Sequence, residues 1–348
     1  MQKILYTLLF GIGALSVKAQ SSSGHTPPFL LKNLSDANLK EVSVQTSGGN
    51  VSVVGVAPSE ARVEVYIYNS GRNADISKAE IQKKLDADYD FSITVLNNKL
   101  TAIAKQKEGH NNWRSSLSIT FKVYAPVGVS SNLKSSGGNI QLKNLTGATQ
   151  EFKTSGGNLD IDMVSGKIRG KTSGGNISLT DSKDDIDIRT SGGNVDAANC
   201  QGNIQLHTSG GNMSMKLMQG VIITSTSGGN IDGEAISGEF QTQTSGGNVN
   251  LQDLSCSLSA SSSGGEITVT MKSLNKYLTL TNSSGNINLQ LPQSAGMDLQ
   301  LYGDKVRTSK LSNFQGDVDE THVTGTINGG GIPVKVHGSS GRVSVTLR

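Results

Sequence analysis

The chain has 348 residues, with 31 Lys and Arg against 28 Asp and Glu and a formal charge of +3. A surface this near to neutral argues against nucleic acid as a partner, because binding phosphate backbones takes a concentrated basic patch. The length alone would suit two domains, but a stack of repeats escapes that expectation because its core grows by adding units.

Residues 1–19, MQKILYTLLFGIGALSVKA, carry Lys3, an apolar run from Ile4 to Val17, and a small residue at the end. This reads as a secretory signal peptide, too short to span a bilayer as a helix. No cysteine follows the run, so a lipid anchor is not indicated, and losing Lys3 and Lys18 would bring the charge from +3 to +1. Residues 20–34 read as a linker and 35–56 as the first strands, from Val42 to Val54. No later apolar stretch is long enough to cross a membrane.

Residues 57–126 have a different texture. ARVEVYIYN and LSITFKVYAP alternate as strands, DFSITVLNNKLTAIA reads as a hairpin turning at Asn97 and Asn98, and SKAEIQKKLDA reads as a short helix capped by Ser77. Tyr66, Tyr68, Tyr89, Tyr124 and the single tryptophan, Trp113, fall here. The segment reads as an α/β capping insertion, which a stack needs because its end exposes unpaired strand edges.

Residues 127–348 are governed by one motif, Thr-Ser-Gly-Gly-Asn. Its asparagines are Asn139, Asn158, Asn176, Asn194, Asn212, Asn230 and Asn248, followed in the same place by Glu266 and Asn286. Successive spacings are 19, then 18 six times, then 20. An earlier copy ends at Asn50, and Arg342 follows Asn286 by 56 residues, or three repeats plus two. Counting slots from the threonine, apolar residues recur at slots 6, 8, 11, 15 and 17, as in Leu159, Ile161, Val164 and Ile168. Alternation over slots 6–8 and 15–17 predicts two short strands per repeat with one face inside. The Gly-Gly pair at slots 3 and 4, and the frequent glycine at slot 13, mark the two bends, where positive φ is expected.

No such repeat can bury its apolar face alone, so like faces must stack. The expected fold is all-β: a right-handed parallel β-solenoid, or β-helix, of about 18-residue coils rising by about 4.8 Å each. A left-handed coil of that length wants an aliphatic every six residues, and slots 12 and 18 are mostly polar. The slot-5 asparagines should form a structural ladder, each amide donating to one neighbour and accepting from the next, with the slot-1 threonines as a second ladder. Cys200 and Cys256 fall three coils apart, too far for a disulfide, and read as buried free thiols. The closing IPVKVHGSSGRVSVTLR is expected to end the stack.

The signal peptide, the lead coil VSVQTSGGNVSVVG, the insert ending FKVYAPVGV and the serial TSGGN coils together resemble a bacterial adhesin family. Its members are Bacteroidetes-type exported β-solenoid domains of unknown function, related to autotransporter adhesin heads. The resemblance covers about residues 35–348. It implies export and a solenoid, and brings no catalytic motif.

Solenoids also carry polysaccharide-processing enzymes, whose sites need clustered carboxylates in clefts built by long loops. Six consecutive spacings of 18 leave no room for such loops. Asp160, Asp162, Asp184, Asp185 and Asp187 read as a solvated face, since Ser178 and Thr180 occupy the matching slots of the next coil. The turns end in neutral asparagine, unlike those of calcium-binding rolls. His25, His110, His207, His322 and His337 show no metal spacing. No enzyme activity, cofactor or metal is therefore expected.

One stripe stands out. Slot 18 holds Lys134, Lys153, Lys171, Arg189 and His207 in five successive coils, a basic ladder about 19 Å long. Like charges on adjacent strands repel, so either Glu151 and Asp187 two slots away compensate, or the stripe binds an acidic glycan or another anionic component of the cell envelope. Three roles remain: an adhesin-like binding protein, a structural envelope spacer and, last, a glycan-processing enzyme. Export would place it in the periplasm, on the cell surface or in the medium.

Overall fold

A computed structural model describes residues 27–69, 77–108 and 116–348. The signal-peptide segment, Trp113, His25 and His110 lie outside the described residues. Elsewhere the chain is all-β with many parallel strands and one α-helix, Lys78–Asp88.

Each repeat supplies two strands. In the coil from Thr154 these are Leu159–Val164 and Lys167–Lys171. Leu159, Ile161, Val164 and Ile168 are buried, while Asp162 and Arg169 between them face outward. Two series of parallel strands follow. In one, Leu159 pairs with Ile177, Ile177 with Val195, and Val195 with Met213. In the other, Ile168 pairs with Ile186, Ile186 with Ile204, Ile204 with Ile222, and Ile222 with Phe240. The aliphatic columns between the series are the core, and burying each such side chain contributes about 1.5–3 kcal/mol. Large residues are offset by small ones: a Cβ added at Gly170 would lie 2.3 Å from the Phe152 ring.

The repeated motif has a more specific chemistry than its composition suggests. Thr172 is fully buried; its hydroxyl donates to the Gly157 carbonyl of the previous coil at 2.8 Å and accepts the Gly175 N–H of its own turn at 3.3 Å. The same pair of bonds recurs at Thr190, Thr208, Thr226 and Thr244. The asparagine ladder also forms, but with different partners from those expected. Asn158 Oδ1 accepts the backbone N–H of Asn176 at 2.8 Å, and each later motif asparagine repeats this on the next coil. The amides therefore bridge side chain to backbone and do not bond to one another, because the neighbouring N–H is the donor the bend leaves unpaired.

The Gly-Gly pair corrects a second expectation. Neither glycine of the regular coils has positive φ; Gly166, Gly202, Gly220 and Gly238 at slot 13 do. Slot 4 needs glycine because the coils approach too closely there: a Cβ at Gly175 would lie 1.9 Å from the Gly157 carbonyl oxygen. Slot 10 is a left-handed position that composition did not reveal. Met163, Asp181, Asn199, Leu217, Ala235 and Asp253 all hold φ between 50° and 55° there.

The ends depart from chain order. The coil of Glu41–Thr46 and Val51–Val56 is covered on one side by Ser130–Ser135 and Ile140–Leu145. On its other side lie Lys99–Gln106 and Leu117–Pro126, also parallel. Outside these, Tyr89–Leu96 pairs antiparallel to Lys99–Gln106, Arg62–Asn69 pairs antiparallel to Leu117–Pro126, and Leu30–Asn33 pairs antiparallel to Arg62–Asn69. The Asn97–Asn98 hairpin and the Ser77 capping box are present. At the other end Ile332–Gly338 and Arg342–Leu347 do not close the stack, as had been expected. They are paired on both sides, against residues 278–282 and Ile287–Leu291 inward and Met297–Tyr302 and Lys305–Thr308 outward. The antiparallel strands His322–Ile327 and Phe314–Val318 lie beyond. Arg342 is thus in the coil next to Asn286, whose Oδ1 accepts its N–H at 3.0 Å, and the 56-residue offset is chain looped outward rather than three repeats.

Cys200 and Cys256 are free and buried. Burial pushes the Cys200 thiol up to about 11 and the Cys256 thiol to about 12. A folded value above the unfolded one means stability is intact below about pH 9 and is lost as pH rises toward those values, by on the order of 2 kcal/mol per thiol. The difference in unfolding free energy between wild type and the Cys200→Ala/Cys256→Ala variant should accordingly shrink between pH 8 and pH 11. At neutral pH the native chain should leave a thiol reagent unconsumed, and the denatured monomer should take up two equivalents.

Candidate ligand-binding trough

The strand series that ends each repeat sets slots 16 and 18 facing outward and slot 17 facing the core, by the period of two of a strand. Register places Lys153 between Lys134 and Lys171, Arg189 beside Lys171, and His207 beside Arg189. The five predicted ladder residues are therefore neighbours on consecutive strands. Slot 16 forms a second row with Asn132, Glu151, Arg169 and Asp187. Between the rows runs a trough of about 330 Å³, floored by Leu133, Phe152 and Gly170. Five cationic and two anionic side chains line it, a net charge of +3.

The charges are not equivalent. Arg189 grips Asp187 through two bonds of 2.8 and 3.1 Å, and the carboxylate holds the guanidinium above its usual range. Arg169 reaches Asp185 at 2.6 Å. His207 Nδ1 lies 2.8 Å from the Ser225 hydroxyl. Lys134, Lys153 and Lys171 are exposed and have no ion pair among the described residues. Glu151, the other proposed counter-charge, is approached by Asn132 Nδ2 at 3.5 Å. Compensation thus operates at Arg189 and Arg169, leaving three cations in a row at about 4.8 Å intervals. Sequence reasoning placed the cationic row and the Glu151 and Asp187 counter-charges, and missed Asn132 and Arg169, which complete the slot-16 wall.

The carboxylates weighed for catalysis are each committed to another group. Asp162 takes Lys143 at 2.8 Å, which holds its carboxyl below the ordinary range. Asp160 accepts from Gln141, and Asp184 from the Gly166 N–H. Among the described residues no cluster of three or more His, Cys, Asp or Glu could hold a metal, and no helix is long and apolar enough to cross a membrane.

Comparison with known proteins adds one family. Residues 177–346, just under half the chain, match the family described as Toastrack DUF4097. This agrees with the coarser part of the resemblance drawn from the motifs, a solenoid-like family of unknown function. No curated protein matches the chain. A crystal structure of a "putative cell adhesion protein" from Clostridium sporogenes ATCC 15579 is 10% identical over 92% of this chain and 98% of that one, with a TM-score of 0.18. At that score the likeness carries no argument about shape or role.

Proposed function

We propose that the chain is an exported, non-catalytic, adhesin-like protein whose right-handed β-solenoid binds an extended acidic glycan or similar anionic envelope polymer along the slot 16–18 trough. The observation that carries this is the run of unpaired Lys134, Lys153 and Lys171. Like charges on adjacent strands cost stability, and a ligand presenting one anion per coil would offset that cost in the bound state. Individually weak contacts along a rigid template add without further ordering of the protein. Right-handedness follows from the crossover rule for parallel strands, and export from the composition of residues 1–19. The kinship with Bacteroidetes-type domains and autotransporter heads belongs to the same reading.

The test is Lys134→Gln/Lys153→Gln/Lys171→Gln, leaving the self-paired Arg189 in place. Retention of this variant on immobilised polygalacturonate at low salt should fall about tenfold to a hundredfold, three surface ion contacts being worth about 0.5–1 kcal/mol each. Wild-type retention should weaken with salt. Unchanged retention of the variant overturns the trough. The structural-spacer reading, favoured by the Arg189–Asp187 and Arg169–Asp185 pairs, would then stand. Cell fractionation with surface proteolysis tests the location.

A further inference from the structure

The opposite strand series carries a second trough, built by the same rule and with different chemistry. Slots 5 and 7 face outward around slot 6. Between them, at the first coils of the stack, lies a concavity of about 380 Å³ floored by Val51 and Ile140. One wall is Thr120, Asn50, Asn139 and Asn158; the other is Lys122, Ser52, Gln141 and Asp160.

The asparagine wall is a row of oriented, unused donors. Asn50 Oδ1 accepts the Asn139 N–H at 2.9 Å and Asn139 Oδ1 the Asn158 N–H at 2.8 Å, so each side chain is fixed by its oxygen. Thr120 Oγ1 plays the same part for Asn50 at 3.1 Å. The Nδ2 groups of Asn50, Asn139 and Asn158 make no hydrogen bond among the described residues, and all three residues are exposed. The facing wall is a relay: Ser52 donates to Gln141 Oε1 at 2.9 Å, and Gln141 Nε2 to Asp160 Oδ2 at 2.9 Å. That leaves Asp160 Oδ1 as an acceptor. Lys122 and Asp160 cancel in charge.

We infer that this trough is a binding site for a neutral saccharide, distinct from the anion trough on the other face. A lining with no net charge does not select a polyanion. The floor residues are fully buried, so an apolar ligand gains little. A peptide strand would need an open edge, and the strands beneath, Val51–Val56 and Ile140–Leu145, are hydrogen-bonded on both sides. What remains complementary to a row of amide donors on one wall, and to the Lys122 ammonium, the Ser52 hydroxyl and the Asp160 carboxylate on the other, is a chain of vicinal hydroxyls, which donate and accept alike. Its volume falls within the range of about 300–1,000 Å³ usual for small-ligand sites.

The asparagine oxygen and nitrogen can be separated experimentally. Asn→Asp keeps an oxygen to accept the next N–H and removes the outward donor. The fold accepts a carboxylate in this slot, since Glu266 occupies it with its own N–H on Asn248 Oδ1 at 2.8 Å. The full chain is titrated with cellohexaose, maltohexaose and mannohexaose while the side-chain amide resonances of Asn50, Asn139 and Asn158 are followed by NMR. At least one sugar should shift them, and Asn139→Asp/Asn158→Asp should bind it about tenfold or more weakly, the loss of two hydrogen bonds. Asn212→Asp/Asn230→Asp, in the same ladder but outside the trough, should bind as wild type does. The proposal is overturned if none of the sugars moves those amides, if the first variant binds unchanged, or if both variants weaken alike. Because the lysine variant leaves this face intact, either trough can fail without the other.

Discussion

Deleting Thr190 to His207 should yield a folded protein one coil shorter, melting cooperatively within roughly 5 °C of the parent. The deletion joins Arg189 to Thr208, so slot 18 still precedes slot 1. Lys183–Arg189 then meets Gln219–Ser225 in place of Gln201–His207, and Ile177–Thr180 meets Met213–Lys216. Asn176 Oδ1 can accept the Asn212 N–H as it now accepts that of Asn194, and Thr208 can donate to the Gly175 carbonyl. The ladder and turn bonds lost have replacements of the same kind, and in the core Ile186 exchanges Ile204 for Ile222. Deleting only residues 199–207 removes the seven-residue strand Gln201–His207 and joins slot 9 directly to slot 1. The strands on either side of the gap then face each other across two spacings with their ladder groups unpaired, and cooperative melting should be lost. Equal melting of the two proteins, by circular dichroism, would show that the coils are not interchangeable units.

Two adjacent glycines should respond oppositely to alanine. At Gly193 the added Cβ would stand 2.0 Å from the Gly175 oxygen and 2.4 Å from its carbonyl carbon. These are backbone atoms held by their own ladder, so relief means parting the coils; the cost should exceed about 3 kcal/mol. At Gly192 the nearest atom is 3.6 Å away and φ is not positive. Alanine there removes freedom from the unfolded chain and should stabilise by about 0.5 kcal/mol. Urea denaturation of Gly192→Ala and Gly193→Ala measures both, and equal effects would refute the close-approach account of the motif.

The pitch was legible because it was written in residues that touch their own copies. Asn158 and Asn176 recur every 18 because one receives the backbone of the other, and the inward columns from Leu159 to Met213 repeat because an aliphatic must meet an aliphatic. The free buried thiols followed from that pitch. What stayed hidden was whatever many residue types satisfy. Slot 10 holds Leu217, Met163 and Ala235 as well as Asp181, Asn199 and Asp253, so its left-handed backbone left only a partial preference for Asn and Asp in the sequence. Gly193 and Gly192 look alike in sequence, although one is required by an oxygen in the preceding coil and the other is not. The order of the end coils was unreadable for another reason: Asn50 touches Asn139 across 89 residues and Asn286 touches Arg342 across 56, and an interruption of rhythm does not tell where the chain goes. The basic row was visible as letters, but which cations stay free depended on Asp185 and Asp187 reaching theirs.

The displaced coils at the two ends bear on how the molecule comes apart. A plain stack frays, shedding its last coil, then the next, each step costing only one interface. Here Glu41–Val56 cannot leave until Lys99–Gln106 and Leu117–Pro126 have peeled away, and Ile332–Leu347 is pinned in the same fashion by Met297–Thr308. Closing those long excursions is slow in folding, since the loop entropy precedes the contacts that repay it. The same order reversed makes opening slow, so persistence against proteases or pulling forces is set by a barrier at each end rather than by the equilibrium stability of the coils between. Lengthening the middle would make the rod longer without making its ends any easier to start unravelling.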